Sequence, residues 1–141
     1  KYMHWQGRME EVAPNIYVDG AHNDDAVCEL VSSVNQTFVD KDIYLMFAVA
    51  EDKDYEQMVS HILELKGLKG IVVTEIDNGR RRDYHEVMDI FRKNWNGMIS
   101  GTYNVNEAMD LIRGWTGSNG ILICTGSLYL VGHVKEILGG I

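Results

Sequence analysis

The chain has 141 residues, 13 Lys+Arg against 21 Asp+Glu for a formal net charge of −8, and 45% apolar against 24% charged residues. That is enough chain and enough apolar material for one domain with its own core, without staples. The acidic balance, with no basic stripe, disfavours a domain whose task is to hold nucleic acid or an anionic membrane, so any phosphate must be met by a few placed groups.

In chain order, Lys1 to Gln6 has no element of its own and reads as a linker remnant, leaving 7–141 as the domain. Arg8 to Val12 predicts a strand, and Ala13-Pro14-Asn15 a hairpin turn with Pro at its first corner, so this strand should run antiparallel to the next. Five short runs rich in β-branched and aromatic residues follow: Asn15 to Val18, Ile43 to Val49, Gly70 to Thr74, Met98 to Thr102 and Ile121 to Cys124. Such runs suit strands covered on both faces.

Between and after them, apolar residues recur three and four apart, each set marking one helix face. The sets are Val27, Leu30, Val31 and Val34; Met58, Ile62 and Leu65; Val87, Ile90, Phe91 and Trp95; Ala108, Leu111, Ile112 and Trp115; and Leu130, Val134 and Leu138. Strand then helix, five times over, requires right-handed crossovers and a parallel sheet with helices on both sides. The expected fold is therefore α/β, a three-layer, doubly wound sheet of six strands, five parallel and the N-terminal one antiparallel. Gly67, Gly97, Gly114, Gly117 and Gly120 fall where helices should stop or strands start, as left-handed C-caps would.

Cys28 and Cys124 sit among apolar neighbours and read as buried thiols of a reducing compartment. The longest apolar run, Ile43 to Ala50, is far short of the ~20 residues a membrane helix needs, and Lys1 to Met9 is too polar for a signal peptide. A soluble, cytoplasmic protein is expected.

Ligands of parallel sheets collect beyond the C-terminal strand ends. Of the loops this selects, Asp19-Gly20-Ala21-His22-Asn23 stands out. Asp19 at a strand end can bond ribose hydroxyls or hold a cation, Gly20 lets a ligand approach the backbone, and His22 is a titratable donor or acceptor. Equally, Asp19 can be a turn former and Asn23 an N-cap. Asp24 and Asp25 in the first helical turn offset the positive helix end, which favours ribose or an ammonium group here over phosphate.

The second loop is Thr125-Gly126-Ser127, with hydroxyls, helix-start amides and no acid in the following turn. It can receive a carboxylate or phosphate, or Thr125 or Ser127 can simply cap the helix. Arg80-Arg81-Arg82 reads as a solvated loop before a helix. His4, His61, His85 and His133 lack metal-ligand spacing, and no P-loop, G-x-G-x-x-G or G-x-S-x-G motif is present.

Taken together, Gly7-Arg8-x-Glu10, the hairpin, Asp19-Gly20-Ala21-His22-Asn23 and Thr125-Gly126-Ser127-Leu128-Tyr129-Leu130-Val131-Gly132 resemble one family. It is the C-terminal domain of folylpolyglutamate synthase and dihydrofolate synthase, within the Mur ligase superfamily. Two positions depart from its pattern: Asp24 and Gln6 stand where the family usually has Pro.

The resemblance implies an ATP-dependent ligase in which ATP phosphorylates a folate carboxylate and the amine of L-glutamate attacks the acyl phosphate. It places the P-loop, the Mg ligands and a modified lysine in an N-terminal P-loop domain outside this chain, which alone would be inactive. It assigns Arg8 to the terminal phosphate and to offsetting transition-state charge, and Asp19 and Asn23 to the nucleotide. Asp19 is also assigned to the substrate amine, and His22, Ser127 and Tyr129 to placing glutamate. The residues themselves point to Asp19, His22 and Ser127, whereas Arg8 rests on the resemblance alone. The alternative is a stand-alone α/β module that binds a nucleotide or small anion without catalysis.

Overall fold

The computed structural model describes residues 9–50, 54–76 and 82–139. Arg8 and the 1–6 segment, as well as Arg80 and Arg81, lie outside the described residues. The elements are β1 (Glu10–Ala13), β2 (Ile16–Asp19), α1 (Asp24–Thr37), β3 (Ile43–Phe47), α2 (Tyr55–Ile62), β4 (Leu68–Val73), α3 (Tyr84–Asn94), β5 (Met98–Gly101), α4 (Val105–Thr116), β6 (Ile121–Thr125) and α5 (Leu128–Ile137).

One six-stranded sheet has the order β1-β2-β6-β3-β4-β5. Only β1 is antiparallel, with Glu10 opposite Val18 and Ala13 opposite Ile16. The two-residue turn between β1 and β2 has Pro14 at its first corner and Asn15 in the left-handed region at φ 64°, a conformation Asn tolerates better than most side chains.

Side chains alternate across the strands and divide the core in two. Leu45, Phe47, Ile71, Val73, Ile121 and Ile123 pack with the apolar faces of α1, α2 and α3. Met46, Val72, Leu122, Cys124, Ile16 and Val18 pack with α4 and α5. Three helices therefore cover one face and two the other, as the strand-helix alternation implies.

The order follows from crossover handedness. α1, α2 and α3 carry the chain from β2 outward to β5, and α4 returns it to the slot between β2 and β3 on the opposite face. The last strand in sequence, β6, is thus central, flanked by β2 and β3 in parallel register: Asp19 and Phe47 both pair with Thr125.

Two expectations need correcting. Cys28 is exposed, because Val27, Leu30, Val31 and Val34 fill the inward stripe of α1 and Cys28 projects off it; only Cys124 is buried. Of the five proposed left-handed caps, only Gly117 has a positive φ, at 65°. Gly114 lies inside α4, while Gly67 and Gly120 are small because main-chain oxygens of Lys41 and Thr116 crowd the place of a Cβ.

Candidate functional site

α1 leaves β2 on one face of the sheet and α5 leaves the adjacent β6 on the other, the arrangement that places a ligand crevice at the C-terminal strand ends of a doubly wound sheet. The loops of the two strongest sequence motifs, residues 19–23 and 125–127, both lie there. They are joined directly: the Gly126 N–H donates to the Ala21 carbonyl at 3.1 Å, and the Ala48 N–H donates to the Thr125 carbonyl at 3.3 Å. Gly126 has φ 115°, and a Cβ there would strike the Ala48 carbonyl, so only glycine allows this approach.

Asp19 is 5% exposed, and its carboxylate is occupied by the main chain. Oδ1 accepts the Ala21 N–H at 2.8 Å, the local turn that an Asp-Gly pair favours, and Oδ2 accepts the Met9 N–H at 3.0 Å across to the start of β1.

His22, half-buried, sets its own tautomer. Its Nδ1 lies 2.8 Å from the Gly20 carbonyl, which can only accept, so Nδ1 carries the proton and Nε2 is the acceptor of the neutral ring. Asn23 is the N-cap of α1, its side chain accepting the Ala26 N–H at 2.9 Å.

Ser127 caps α5 in the same way, its Oγ accepting the Tyr129 N–H at 3.0 Å. This first turn holds no acid, so the positive end of α5 is not offset. Leu128 and Tyr129 stand out from it, 58% and 63% exposed. Below, the Thr125 hydroxyl is buried with no hydrogen-bond partner among the described residues.

The two helix starts thus differ in charge. Asp24 and Asp25 occupy the first turn of α1, and Asp24 Oδ1 sits 2.6 Å from His61 Nε2 on the last turn of α2. Sequence reasoning missed this contact, because nothing in the spacing of residues 24 and 61 marks it. It missed equally the ion pair between Glu10 and Lys135, at 2.9 Å, which ties β1 to α5.

Among the described residues no group of three or more His, Cys, Asp or Glu could hold a metal ion. The described residues therefore supply no all-protein cage for a metal ion. Arg82, the described member of the basic cluster, is not simply solvated: it lies over the Tyr55 ring, 4.7 Å from its centroid, and pairs with Glu86 at 3.2 Å. No helix among the described residues is long and apolar enough to cross a membrane.

Residues 7–128 match the model of the Mur ligase, glutamate ligase domain. The chain belongs to this family. It is 29% identical over 139 residues to the dihydrofolate synthase/folylpolyglutamate synthase of Bacillus subtilis, covering 95% of this chain and 30% of that protein. To the folylpolyglutamate synthase of Lacticaseibacillus casei it is 34% identical over 153 residues, covering 97% of the chain and 31% of the relative. The solved Mycobacterium tuberculosis folylpolyglutamate synthase complexed with ADP has the same fold, with a TM-score of 0.85 at 20% identity, over 96% of this chain and 33% of that one. The resemblance carried by the motifs and the α/β architecture are both borne out. The chain spans about a third of the length of each of these proteins.

Proposed function

We propose that this chain is the C-terminal domain of an ATP-dependent ligase that adds L-glutamate to a folate, closing over ATP and positioning the glutamate amine. Support comes from the family, from relatives named folylpolyglutamate synthase, and from a solved neighbour that holds ADP. The observation that carries the reading is the junction of the two loops through Gly126 and Ala21. It sets an imidazole acceptor and an acid-free helix start at one crevice.

That geometry supports roles for His22, Ser127, Tyr129 and Asn23, while the role of Arg8 rests on the resemblance. His22 Nε2 is the acceptor that holds the incoming ammonium group and takes a proton as the amine becomes nucleophilic. The α5 start, capped by Ser127, receives a carboxylate of glutamate, and exposed Tyr129 closes over it. Asn23 holds α1 at the nucleotide. Arg8 is assigned to the terminal phosphate of ATP, where a guanidinium offsets charge that develops in transfer. The P-loop and the metal ligands belong to a second domain.

The decisive measurement is glutamate-dependent ATP hydrolysis with a folate acceptor, in a protein that carries a P-loop domain ahead of this chain. His22→Ala should lower kcat there by about 10²- to 10⁴-fold, the usual worth of a positioned acid-base group, and Arg8→Ala should also lower it. This chain alone should give no turnover. Turnover by the chain alone would overturn the reading; tight ATP binding by the chain alone, measured by calorimetry, would favour a stand-alone binding module instead.

A further inference from the structure

We infer that Asp19 is a positioning residue whose carboxylate couples the Gly7-Arg8-x-Glu10 motif to the Asp19–Asn23 loop. The two motifs lie on different elements, and Asp19 touches both. Its Oδ1 accepts from Ala21, inside its own loop, at 2.8 Å, and its Oδ2 accepts from Met9, the third residue of the other motif, at 3.0 Å. Hydrogen bonds to an ionised carboxylate are about twice as strong as neutral ones, and with Asp19 5% exposed little water competes for them.

Met9 needs such a hold. It adopts φ 41°, a left-handed conformation that is unfavourable for a non-glycine residue and persists only where the surroundings impose it. The next residue, Glu10, is held independently through its ion pair with Lys135 of α5 at 2.9 Å. The two residues that follow Arg8 in sequence are therefore fastened at separate points, Met9 to Asp19 of β2 and Glu10 to Lys135 of α5. The loop carrying His22 and the motif carrying Arg8 share one anchor, so displacement of either is transmitted to the other.

This inference rests on the ligase reading for its functional consequence but not for its geometry, and the test separates the two. Amide hydrogen exchange on this chain without ligand is compared for the parent, Asp19→Asn and Asp19→Ala. Asn presents an NH₂ where one carboxylate oxygen was and cannot accept from both N–H groups. Asp19→Ala should speed exchange at both Met9 and Ala21 by about tenfold, the effect of losing 1.4 kcal/mol of local protection, and Asp19→Asn should do so at one or other of them, while Leu122 and Ile123 in central β6 stay protected. Asp19→Asn keeps size and shape, so the comparison survives if Asp19→Ala fails to fold. Unchanged exchange at Met9 in Asp19→Ala, or at both Met9 and Ala21 in Asp19→Asn, overturns the coupling whatever the enzyme does.

In the two-domain protein, Asp19→Asn and Arg8→Ala are then combined in a double-mutant cycle on kcat/KM for ATP. The double variant should be little worse than Arg8→Ala alone, because Asp19 acts through Met9, the residue next to Arg8 in sequence. Independent, multiplying losses would overturn the positioning role and assign Asp19 to direct ligand contact. If no ligase activity appears at all, the functional reading fails while the exchange comparison still decides the coupling.

Discussion

Asp19, Asn23 and Ser127 each do structural work with the same oxygen atoms that make them candidates for ligand contact. In all three the side chain accepts a main-chain N–H two or three residues ahead, closing a turn or capping a helix. That double use is why residue type alone left two readings open at both loops: Asp, Asn and Ser favour these positions for local reasons whether or not a ligand comes. The cysteines show a different limit. Both sit beside apolar residues in sequence, yet in a strand buried on two faces every position is interior, whereas in a helix only one stripe is. Cys124 is enclosed, and burial pushes its thiol up to about 12; Cys28 on α1 is exposed. One thiol per native chain should therefore react with iodoacetamide at pH 8, and two after unfolding, counted by mass spectrometry. The sign of the pH effect follows. With the folded-state value above the ordinary value of 9.0, Cys124 supports the fold below pH 9 and loses that support as pH rises from there toward 12. Urea midpoints should fall across that window, and less steeply in Cys124→Ala.

The elements were readable because strand and helix patterns differ in period and the chain alternates between them without ambiguity. Their ends were less so. β6 runs on to Thr125 and β2 to Asp19, one residue past the apolar run in each case, because pairing between neighbouring strands continues where hydrophobicity stops. α2 stops at Ile62, ahead of the apolar Leu65 in the expected stripe. Helix caps give a direct comparison of stability with function. Asn104 caps α4 through the Glu107 N–H at 2.8 Å, by the same chemistry as Asn23 and Ser127 but at the end of β5, far along the sheet from the candidate site. Asn104→Ala should cost about 1 kcal/mol in chemical denaturation and leave ligase turnover in the two-domain protein unchanged. Phe91 of α3 meets Phe47 of β3 edge-on at 5.8 Å inside the larger core half. Phe91→Ala should cost about 3–5 kcal/mol by the same measurement.

For the molecule as a whole, the alternation of strands and helices dictates a doubly wound sheet, but not which strand sits in the middle. That depends on where the crossovers reverse, a non-local choice with no marker in any one segment. The placement of β6 between β2 and β3 is what makes a site of two loops about 100 residues apart in sequence. The net charge of −8 fits the proposal that a second domain meets most of the phosphate. If the partner supplies those groups, ATP should bind the chain alone weakly or not at all in calorimetry.

The late arrival of β6 sets the order in which the protein can be made. Until β6 has been synthesised, β2 and β3 have an empty slot between them, and each exposes an unpaired edge to any other extended chain. The closing contacts span most of the sequence and must bear the loop-closure entropy of doing so. Refolding followed by pulsed hydrogen exchange should protect β3 and β4, neighbours in both sequence and space, before β2 and β6. The Gly126 amide, which joins the two site loops, should be among the last protected. A nascent or truncated chain that ends before β6 then has an open sheet and no site, which makes its last strand the checkpoint between a closed domain and an aggregating one.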